Sequence, residues 1–399
     1  MLDSQTLRKY ADVMLWGMYT ARSSAFTAGE TVLLRYDHSA VDLAEIVYKK
    51  LLRDGLNVVQ RANPTPGMER SFLEISGPSQ LEFLAPGEDT LAHTIHGTIS
   101  LLAPNSLTHL QDIDPSRIGK VILAKKTIRD ILDERENQGH FGWTLGLLPT
   151  QALAESAGLT PQEYADQIIR ACHLDHPQPE EKWQEIFDAA QEIKSRLNAL
   201  RIRELHLESE NCDLRVTPGE YRRWVGVSGH NIPSFEIFTS PDWRGTQGVF
   251  FMDQPSYRNG NQVRNLRLEF DKGEVSAIRA EQGEDFVRKQ VQMDENACKL
   301  GEFSLTDRRF SRIDRYMAHT LYDENFGGEH GNCHIALGAS YAETYSLGGN
   351  NLSKAEKEKH GFNDSALHWD LVNTEPKRVR ARLESGETRT IYEDGEFLC

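Results

Sequence analysis

The sequence predicts an α/β protein with two domains, in which residues 1–200 form an alternating strand–helix domain and residues 201–399 a strand-rich α+β domain. Three observations support this prediction. The first half alternates strand and helix signals, which is typical of a parallel sheet covered by helices. The second half consists mostly of short strand signals. At 399 residues, the chain is long enough for two hydrophobic cores.

The first domain begins with a helix and continues with a βαβ unit. In the first 21 residues, apolar side chains recur on one helical face, which predicts a packed helix and not a signal peptide. Residues 31–37 (TVLLRYD) predict a strand, residues 41–55 a helix that ends at Asp54-Gly55, and residues 56–62 the next strand. Two strands joined through a helix in this way predict a parallel sheet.

Two further buried strands are predicted at residues 97–104 and 142–150, with a helix from about 115 to 134 between them. No Gly-x-Gly-x-x-Gly loop or Walker sequence follows any of these strands, so nucleotide binding has no support. Helices then close the domain. Thr160 and Glu163 form a capping box, and an apolar stripe that starts at Trp183 predicts a long helix packed on one side.

The second domain is predicted from short strands. ELHLES, DLRVT and GVFFM each have a strand pattern, and NLRLEFDKGEVSAIRA predicts a hairpin whose turn is Asp271-Lys272-Gly273. The boundary between the domains is placed near residue 200.

Composition excludes several classes of partner. The net charge of −15 argues against binding to nucleic acid or to an anionic membrane, because both need basic patches. No apolar run approaches the roughly 20 residues that span a bilayer. Five cysteines without paired spacing, at positions 172, 212, 298, 333 and 399, indicate a reducing compartment. The cytoplasm is therefore the expected location.

A His-x-Asp run occurs twice. His173 and Asp175 follow a helical segment and precede prolines, and residues two apart on a helix do not share a face, so this run is interpreted as a helix end. His368 and Asp370 lie in LHWDLV, which has the pattern of a strand. Alternation along a strand directs both side chains to one face, where they would hold a metal ion or form a buried hydrogen-bonded pair.

Four stretches of the second domain place acids or histidines among apolar residues and glycines. They are NIPSFEIFTSP with Glu236, CKLGEFSL with Glu302, LYDENFGGEHGNCHIALGASY, and LHWDLV. Ionised carboxylates stay buried only when they are paired or bound to metal. Taken singly, Glu236 and Glu302 are also explained as salt-bridge or capping acids, and His334 as a core histidine. Four carboxylates and two imidazoles in one place favour a pair of divalent cations, which are typically about 3.5–4 Å apart.

The donor types favour a catalytic metal site over a structural one. Structural zinc sites prefer cysteine, whereas carboxylates with imidazoles suit exchangeable Zn, Co or Mn. HIALGASY is predicted to be a helix, and seven residues separate His334 from Tyr341, so both side chains would share one face. A phenol there would donate a hydrogen bond to an oxyanion.

These stretches resemble, in order, the four motifs of the M29 metallo-aminopeptidases, the thermophilic aminopeptidase family. GWTLGLLPTQALAESAGLTPQEY in the first domain also resembles that family, so the likeness spans nearly the whole chain. The resemblance implies a centre of two metal ions, removal of N-terminal residues from peptides, and a homodimer. It also implies that Glu236, Glu302, His334, His368 and Asp370 are metal ligands and that Tyr341 is a catalytic residue, and Glu324 is predicted as a further ligand.

Two departures from the family pattern affect the site. Phe235 precedes the first glutamate, where the family usually has glycine. Glu324 and His334 are ten residues apart, where the family often has five, so Glu329 is an alternative to Glu324. Glu324 is preferred because it belongs to the LYDEN motif.

The predicted chemistry is hydrolysis by a metal-activated water. Glu302 is assigned either the transfer of the water proton to the leaving amine or a purely bridging position between metals. A phosphoesterase with two metals is the rival enzyme class, but no Arg or Lys adjoins these motifs to bind a phosphoryl group. A degenerate, non-catalytic relative is the third alternative, and the complete set of ligands argues against it.

Overall fold

The computed structural model describes residues 2–348 and 352–398. The chain forms two compact units, one made of Met1–Phe187 with Val227–Ser234 and the other of Asp188–Gly226 with Phe235–Cys399. The single boundary near residue 200 stays a prediction. Cys399 lies outside the described residues.

The elements up to residue 199 alternate between helices and strands, as predicted. They are α1 (Ser4–Ala21), β1 (Thr31–Tyr36), a 3₁₀ helix (His38–Ala40), α2 (Val41–Arg53), β2 (Asn57–Ala62), α3 (Pro66–Ile75), α4 (Pro78–Leu81), α5 (Glu88–Thr94), β3 (Gly97–Leu102), α6 (Pro115–Asn137), β4 (Gly142–Leu147), α7 (Gln151–Ala157), α8 (Pro161–Ala171) and α9 (Pro179–Ala199).

The remaining elements are mostly strands. They are β5 (Ile202–Glu208), β6 (Asp213–Thr217), β7 (Asn231–Ile232), β8 (Glu236–Thr239), β9 (Asp242–Met252), β10 (Ser256–Arg258), β11 (Asn261–Val263), β12 (Leu266–Asp271), β13 (Glu274–Arg279), α10 (Glu284–Gln290), β14 (Leu300–Thr306), α11 (Thr320–Asp323), β15 (Asn332–Gly338), a 3₁₀ helix (Ala342–Thr344), α12 (Lys354–Lys359), β16 (His368–Asn373), β17 (Arg378–Leu383), β18 (Thr388–Glu393) and β19 (Glu396–Phe397).

The first unit contains a five-stranded parallel sheet in the order β2-β1-β3-β4-β7. The predicted parallel sheet is therefore confirmed. Helix α1 packs its buried face against the sheet, and the Tyr10 hydroxyl donates to the carbonyl oxygen of Leu147 at 3.0 Å. The capping box of Thr160 and Glu163 is present at the start of α8. The first His-x-Asp run lies directly after α8, so its interpretation as a helix end is confirmed.

The second unit contains an antiparallel sheet of eight strands, in the order β13-β12-β9-β6-β5-β17-β18-β19. The predicted hairpin of β12 and β13 is confirmed, and its turn lies at Lys272-Gly273, where both φ angles are positive. Strands β10 and β11 form a separate two-stranded hairpin. Within the described residues, no helix is long and apolar enough to cross a membrane.

A four-stranded antiparallel sheet of the second unit carries most of the predicted site residues. Its order is β16-β15-β14-β8, so β16 and β8 are edge strands. The prediction of a helix at HIALGASY is wrong, because residues 332–338 form the inner strand β15. Every residue of this strand is buried, so the run shows no polar alternation, and a short apolar run does not distinguish a buried strand from a helix.

Candidate metal centre

The register of the four-stranded sheet brings five predicted ligands to one face. Residues that alternate along a strand, and residues directly opposite each other on neighbouring strands, share a face. Three cross-strand pairs set this face: Glu236 opposite Thr306, Ser304 opposite His334, and Ala336 opposite Asp370. The residues on this face therefore include five of the six predicted ligands, namely Glu236, Glu302, His334, His368 and Asp370. The prediction that His368 and Asp370 lie on a strand and share a face is confirmed.

Two groups of three side chains could each hold a metal ion, and they share Glu302. We name Glu236, Glu302 and His334 the inner group and Glu302, His368 and Asp370 the outer group; within each, the ligand atoms lie within 4.8 Å of one another. In the inner group, His334 Nε2 is 3.2 Å from Glu236 Oε2 and 3.2 Å from Glu302 Oε1. In the outer group, His368 Nε2 is 3.3 Å from Asp370 Oδ1 and 3.7 Å from Glu302 Oε2.

Glu324 is close enough to feel the charges of both groups, although it belongs to neither. It follows α11 and is only 5% exposed. Burial raises its pKa well above the ordinary value, and the carboxylates of Glu236 and Asp370 add to that rise. Glu329, by contrast, has a side chain that is 83% exposed and lies 3.9 Å from His330. The buried position and the acidic surroundings therefore support Glu324 over Glu329 as the loop ligand.

Buried polar side chains hold the backbone around Glu324. The Asn332 side chain donates to the carbonyl oxygens of Glu324 at 2.9 Å and Phe326 at 2.8 Å, and the Thr306 hydroxyl donates to Glu324 at 3.2 Å. Asn325 Oδ1 accepts from the backbone N–H of Phe235 at 2.5 Å, directly before Glu236. Sequence reasoning missed Asn325 and Asn332. Their one signal was an amide residue inside an apolar or glycine-rich run.

The titrating groups of the centre have shifted pKa values. Burial alone would lower the pKa of both histidines, but hydrogen bonds to Glu236 and Glu302 raise that of His334 well above its usual range. Asp370 and Glu302 raise the pKa of His368 to about 9. Burial and the charge of Glu236 raise the pKa of Glu302 to about 7. Burial would raise the pKa of Asp370, but the charge and hydrogen bond of His368 outweigh it and lower the pKa to about 2.

These shifts fit a site built for cations. The protons that the histidines retain offset the charge of a dense carboxylate cluster, and a divalent cation would do the same. Carboxylate oxygens and imidazole nitrogens are also the donors that Zn, Co and Mn accept. His368 is oriented for this role because its Nδ1 lies 2.9 Å from the carbonyl oxygen of Ala339, which leaves Nε2 facing the carboxylates.

Tyr341 lies beside the outer group, but not for the predicted reason. It follows β15 in a loop, so it does not share a helical face with His334. Its ring is 4.8 Å from the ring of His368 and 5.7 Å from that of Phe238, and its backbone N–H donates to Ser240 Oγ at 2.8 Å. Tyr341 is 41% exposed. Loss of solvent around the phenol and the nearby carboxylates of Glu302 and Asp370 raise its pKa well above 10, so the phenol keeps its proton.

Comparisons with known proteins identify the family and the fold. The sequence profile of the thermophilic metalloprotease (M29) family matches residues 3–397. Aminopeptidase AmpS of Bacillus subtilis is 28% identical over 341 residues, which cover 79% of this chain and 80% of that protein. Aminopeptidase T of Thermus thermophilus is 27% identical over 392 residues, which cover 93% and 94%. The structure of wild-type AmpT from Thermus thermophilus superposes with a TM-score of 0.80 at 22% identity, covering 99% of each chain, and so shows the same fold.

The family profile spans all four stretches that carry the buried acids and histidines, together with the first unit. The chain therefore belongs to the thermophilic metalloprotease (M29) family.

Proposed function

We propose that the chain is a metal-dependent aminopeptidase that removes N-terminal residues from peptides and uses two divalent cations, Zn, Co or Mn. The observation that carries this proposal is the shared position of Glu302 between two groups of ligand atoms. Family membership and the aminopeptidase names of the relatives support the activity. The inner and outer groups would each hold one cation, with Glu324 as a further ligand.

Glu302 has two possible roles in this proposal, and its contacts support one of them. Its Oε1 faces His334 of the inner group, and its Oε2 faces His368 of the outer group. A carboxylate with both oxygens engaged in this way suits a bridging ligand better than a proton carrier. Its pKa of about 7 in the metal-free protein is the observation that favours proton transfer. We propose bridging as its main role.

Bound divalent cations would supply the activation of water and the polarisation of the scissile carbonyl. The carboxylates of the centre would attract the free α-amine of the peptide, which fixes the end from which cleavage starts. The protonated Tyr341 phenol would donate a hydrogen bond to the oxygen that becomes negative in the transition state. The position of Tyr341 supports this role, since its ring lies 4.8 Å from the ring of His368 in the outer group.

A pair of peptides tests the exopeptidase activity. A peptide with a free N-terminus should be shortened from that end, and its N-acetylated copy should resist, because the acetylated amide has no basic nitrogen for the carboxylates. Chelation should abolish cleavage and addition of Zn²⁺, Co²⁺ or Mn²⁺ should restore it. Equal cleavage of the two peptides would indicate an endopeptidase. Hydrolysis of a phosphate monoester alone, in the same assay, would favour the rival enzyme class.

Assembly and location are also proposals. The resemblance to the M29 aminopeptidases supports a homodimer, and light scattering should then give twice the 45.3 kDa of one chain. The free thiols of Cys212, Cys298 and Cys333 support a reducing compartment such as the cytoplasm.

A further inference from the structure

Strand β16, which carries His368 and Asp370 of the outer group, is an edge strand, and a small hairpin contacts it. Strand β16 pairs with β15 on one side only. The hairpin of β10 and β11 has a two-residue turn at Asn259-Gly260, where φ is +48° and +74°. Positive φ at both turn residues is typical of the tight hairpin turns that match strand twist. The hairpin is therefore a well-defined element and not a loose loop.

Strand β10 contacts consecutive residues of the ligand-bearing strand. Arg258 Nη1 donates to the backbone carbonyl oxygen of His368 at 2.8 Å. The guanidinium carbon of Arg258 lies 5.5 Å from the centre of the Trp369 ring. Ser256, two residues earlier in β10, accepts from Trp369 Nε1 at 3.0 Å. The charge of Arg258 also acts on Asp370. One side chain thus interacts with His368, Trp369 and Asp370, of which the first and third are candidate ligands.

We propose that Arg258 is a positioning residue that fixes the His368–Asp370 segment for metal binding in the outer group. This inference rests on the proposed metal centre. Nothing in the sequence motifs points to Arg258, because it lies 110 residues before His368 and outside all four stretches. In the inner group, strand pairing on both sides of β15 already holds the backbone of His334.

Arg258 has two physical effects on metal affinity, and they have opposite signs. The direction in which metal affinity changes when Arg258 is replaced therefore identifies the dominant effect. As a support, the guanidinium holds the segment in place, and its loss should weaken metal binding. As a positive charge near Asp370, it repels cations, and its loss should strengthen metal binding. Outer supports of metal ligands are typically worth about 10–100-fold in metal affinity or activity. We expect the first effect to dominate.

The test is titration of the metal-free full chain with Zn²⁺ by calorimetry, in the wild type and in three variants. We expect the more exposed outer group to be the lower-affinity site, so Arg258→Met should weaken that site about 10–100-fold and leave the other site close to wild type. Arg258→Lys keeps the charge but not the planar fork, and should lie between the wild type and Arg258→Met. Arg288→Met is the matched control, because Arg288 donates to the carbonyl oxygen of Ile278 at 2.9 Å but touches no candidate ligand. Its two affinities should equal those of the wild type.

Unchanged or stronger Zn²⁺ binding by Arg258→Met would overturn the inference. So would a loss in Arg258→Met that Arg288→Met reproduces, since the effect would then be one of general destabilisation. If Arg258→Met does not fold, wild-type affinity in Arg258→Lys would overturn the inference, and a weakened lower-affinity site would support it. If the wild type itself binds no Zn²⁺, the proposed function fails, and that outcome is distinct from the others.

Discussion

The inner and outer groups share Glu302 but sit in different surroundings. In the inner group, the side chains of His334, Glu302 and Glu236 are 1%, 4% and 12% exposed. In the outer group, those of His368 and Asp370 are 19% and 16% exposed, and Tyr341 stands beside them with 41% exposure. The inner group is built from β8, β14 and β15, whereas the two residues specific to the outer group both come from β16, at the opposite edge of the sheet from β8.

This difference suggests that the two groups have different tasks, one in cation binding and the other in contact with the substrate. Strand register positions the residues of both groups, and in the inner group His334 and Glu302 lie on the two central strands of the sheet. The outer group also depends on side supports, namely the carbonyl oxygen of Ala339 and the guanidinium of Arg258. It is also the more exposed of the two groups. We expect the inner half to bind its cation more tightly and the outer half to interact with the substrate.

The largest effect should follow from removal of the side chain that joins the two groups. Glu302→Gln removes the negative charge that both groups share and leaves one neutral amide oxygen, so both cations should bind more than about 100-fold more weakly, which exceeds the usual cost of an outer support. Metal analysis after dialysis, together with a peptidase assay, checks this. Glu269→Gln is a control on an exposed acid, 49% exposed, that pairs with Arg267. Loss of only one cation from Glu302→Gln would show that Glu302 is not shared.

Tyr341→Phe should separate catalysis from binding in the outer half. Loss of one transition-state hydrogen bond typically costs about 10²–10³ in turnover. KM, metal content and melting temperature should stay near wild type, because the phenol is used mainly in the transition state. Steady-state kinetics with an aminoacyl chromogen measure both constants. A kcat near that of the wild type would mean that Tyr341 only packs against His368 and Phe238.

Glu324→Gln and Glu329→Gln form a matched pair that tests the loop ligand. Glu324 is 5% exposed and adjoins both groups, whereas the Glu329 side chain is 83% exposed. Glu324→Gln should lose about tenfold or more in metal affinity, and Glu329→Gln should resemble the wild type. Zn²⁺ titration of both variants is sufficient. The reverse ranking would show that the loop rearranges when metal binds and that Glu329 is the ligand.

The smallest effect concerns the stability of the metal-free protein as pH changes. The folded pKa of His368, about 9, lies above its unfolded value of about 6.5. Its contribution to stability is therefore fully present below about pH 6.5 and is lost as pH rises through 9. Glu302, whose pKa is raised from 4.5 to about 7, also makes stability fall as pH rises, but over a window that ends near pH 7. The melting temperature of the chelated protein should fall between pH 6.5 and 9.

His368→Gln is the control for this pH dependence, because it removes the imidazole that titrates near pH 9 and changes the net charge by at most one unit. The variant should show a flatter decrease over the same range. A decrease of equal steepness in both proteins would assign the effect to general charge repulsion and not to the outer group.

Sequence patterns predicted the parts of the fold that depend on local chemistry. The βαβ unit, the capping box at Thr160, the hairpin of β12 and β13 and the strand of His368 and Asp370 were all confirmed. Each has a periodicity or a turn residue that acts over a few positions. The segment 332–338 was predicted wrongly because it is buried throughout, so the polar alternation that reveals a strand is absent. No local sequence pattern predicted that Val227–Ser234 would belong to the first unit.

The sequence by itself determined which residues are available as ligands, because buried acids and histidines in apolar runs need a compensating charge wherever they lie. Only the tertiary structure decided which of them meet. The register of β8, β14, β15 and β16 places Glu302 between two histidines, and the polar contacts of Asn332 and Thr306 hold the backbone of Glu324. Arg258 reaches His368 across 110 positions. Such contacts depend on pairing and packing between segments that are distant in the sequence, so local sequence patterns do not predict them.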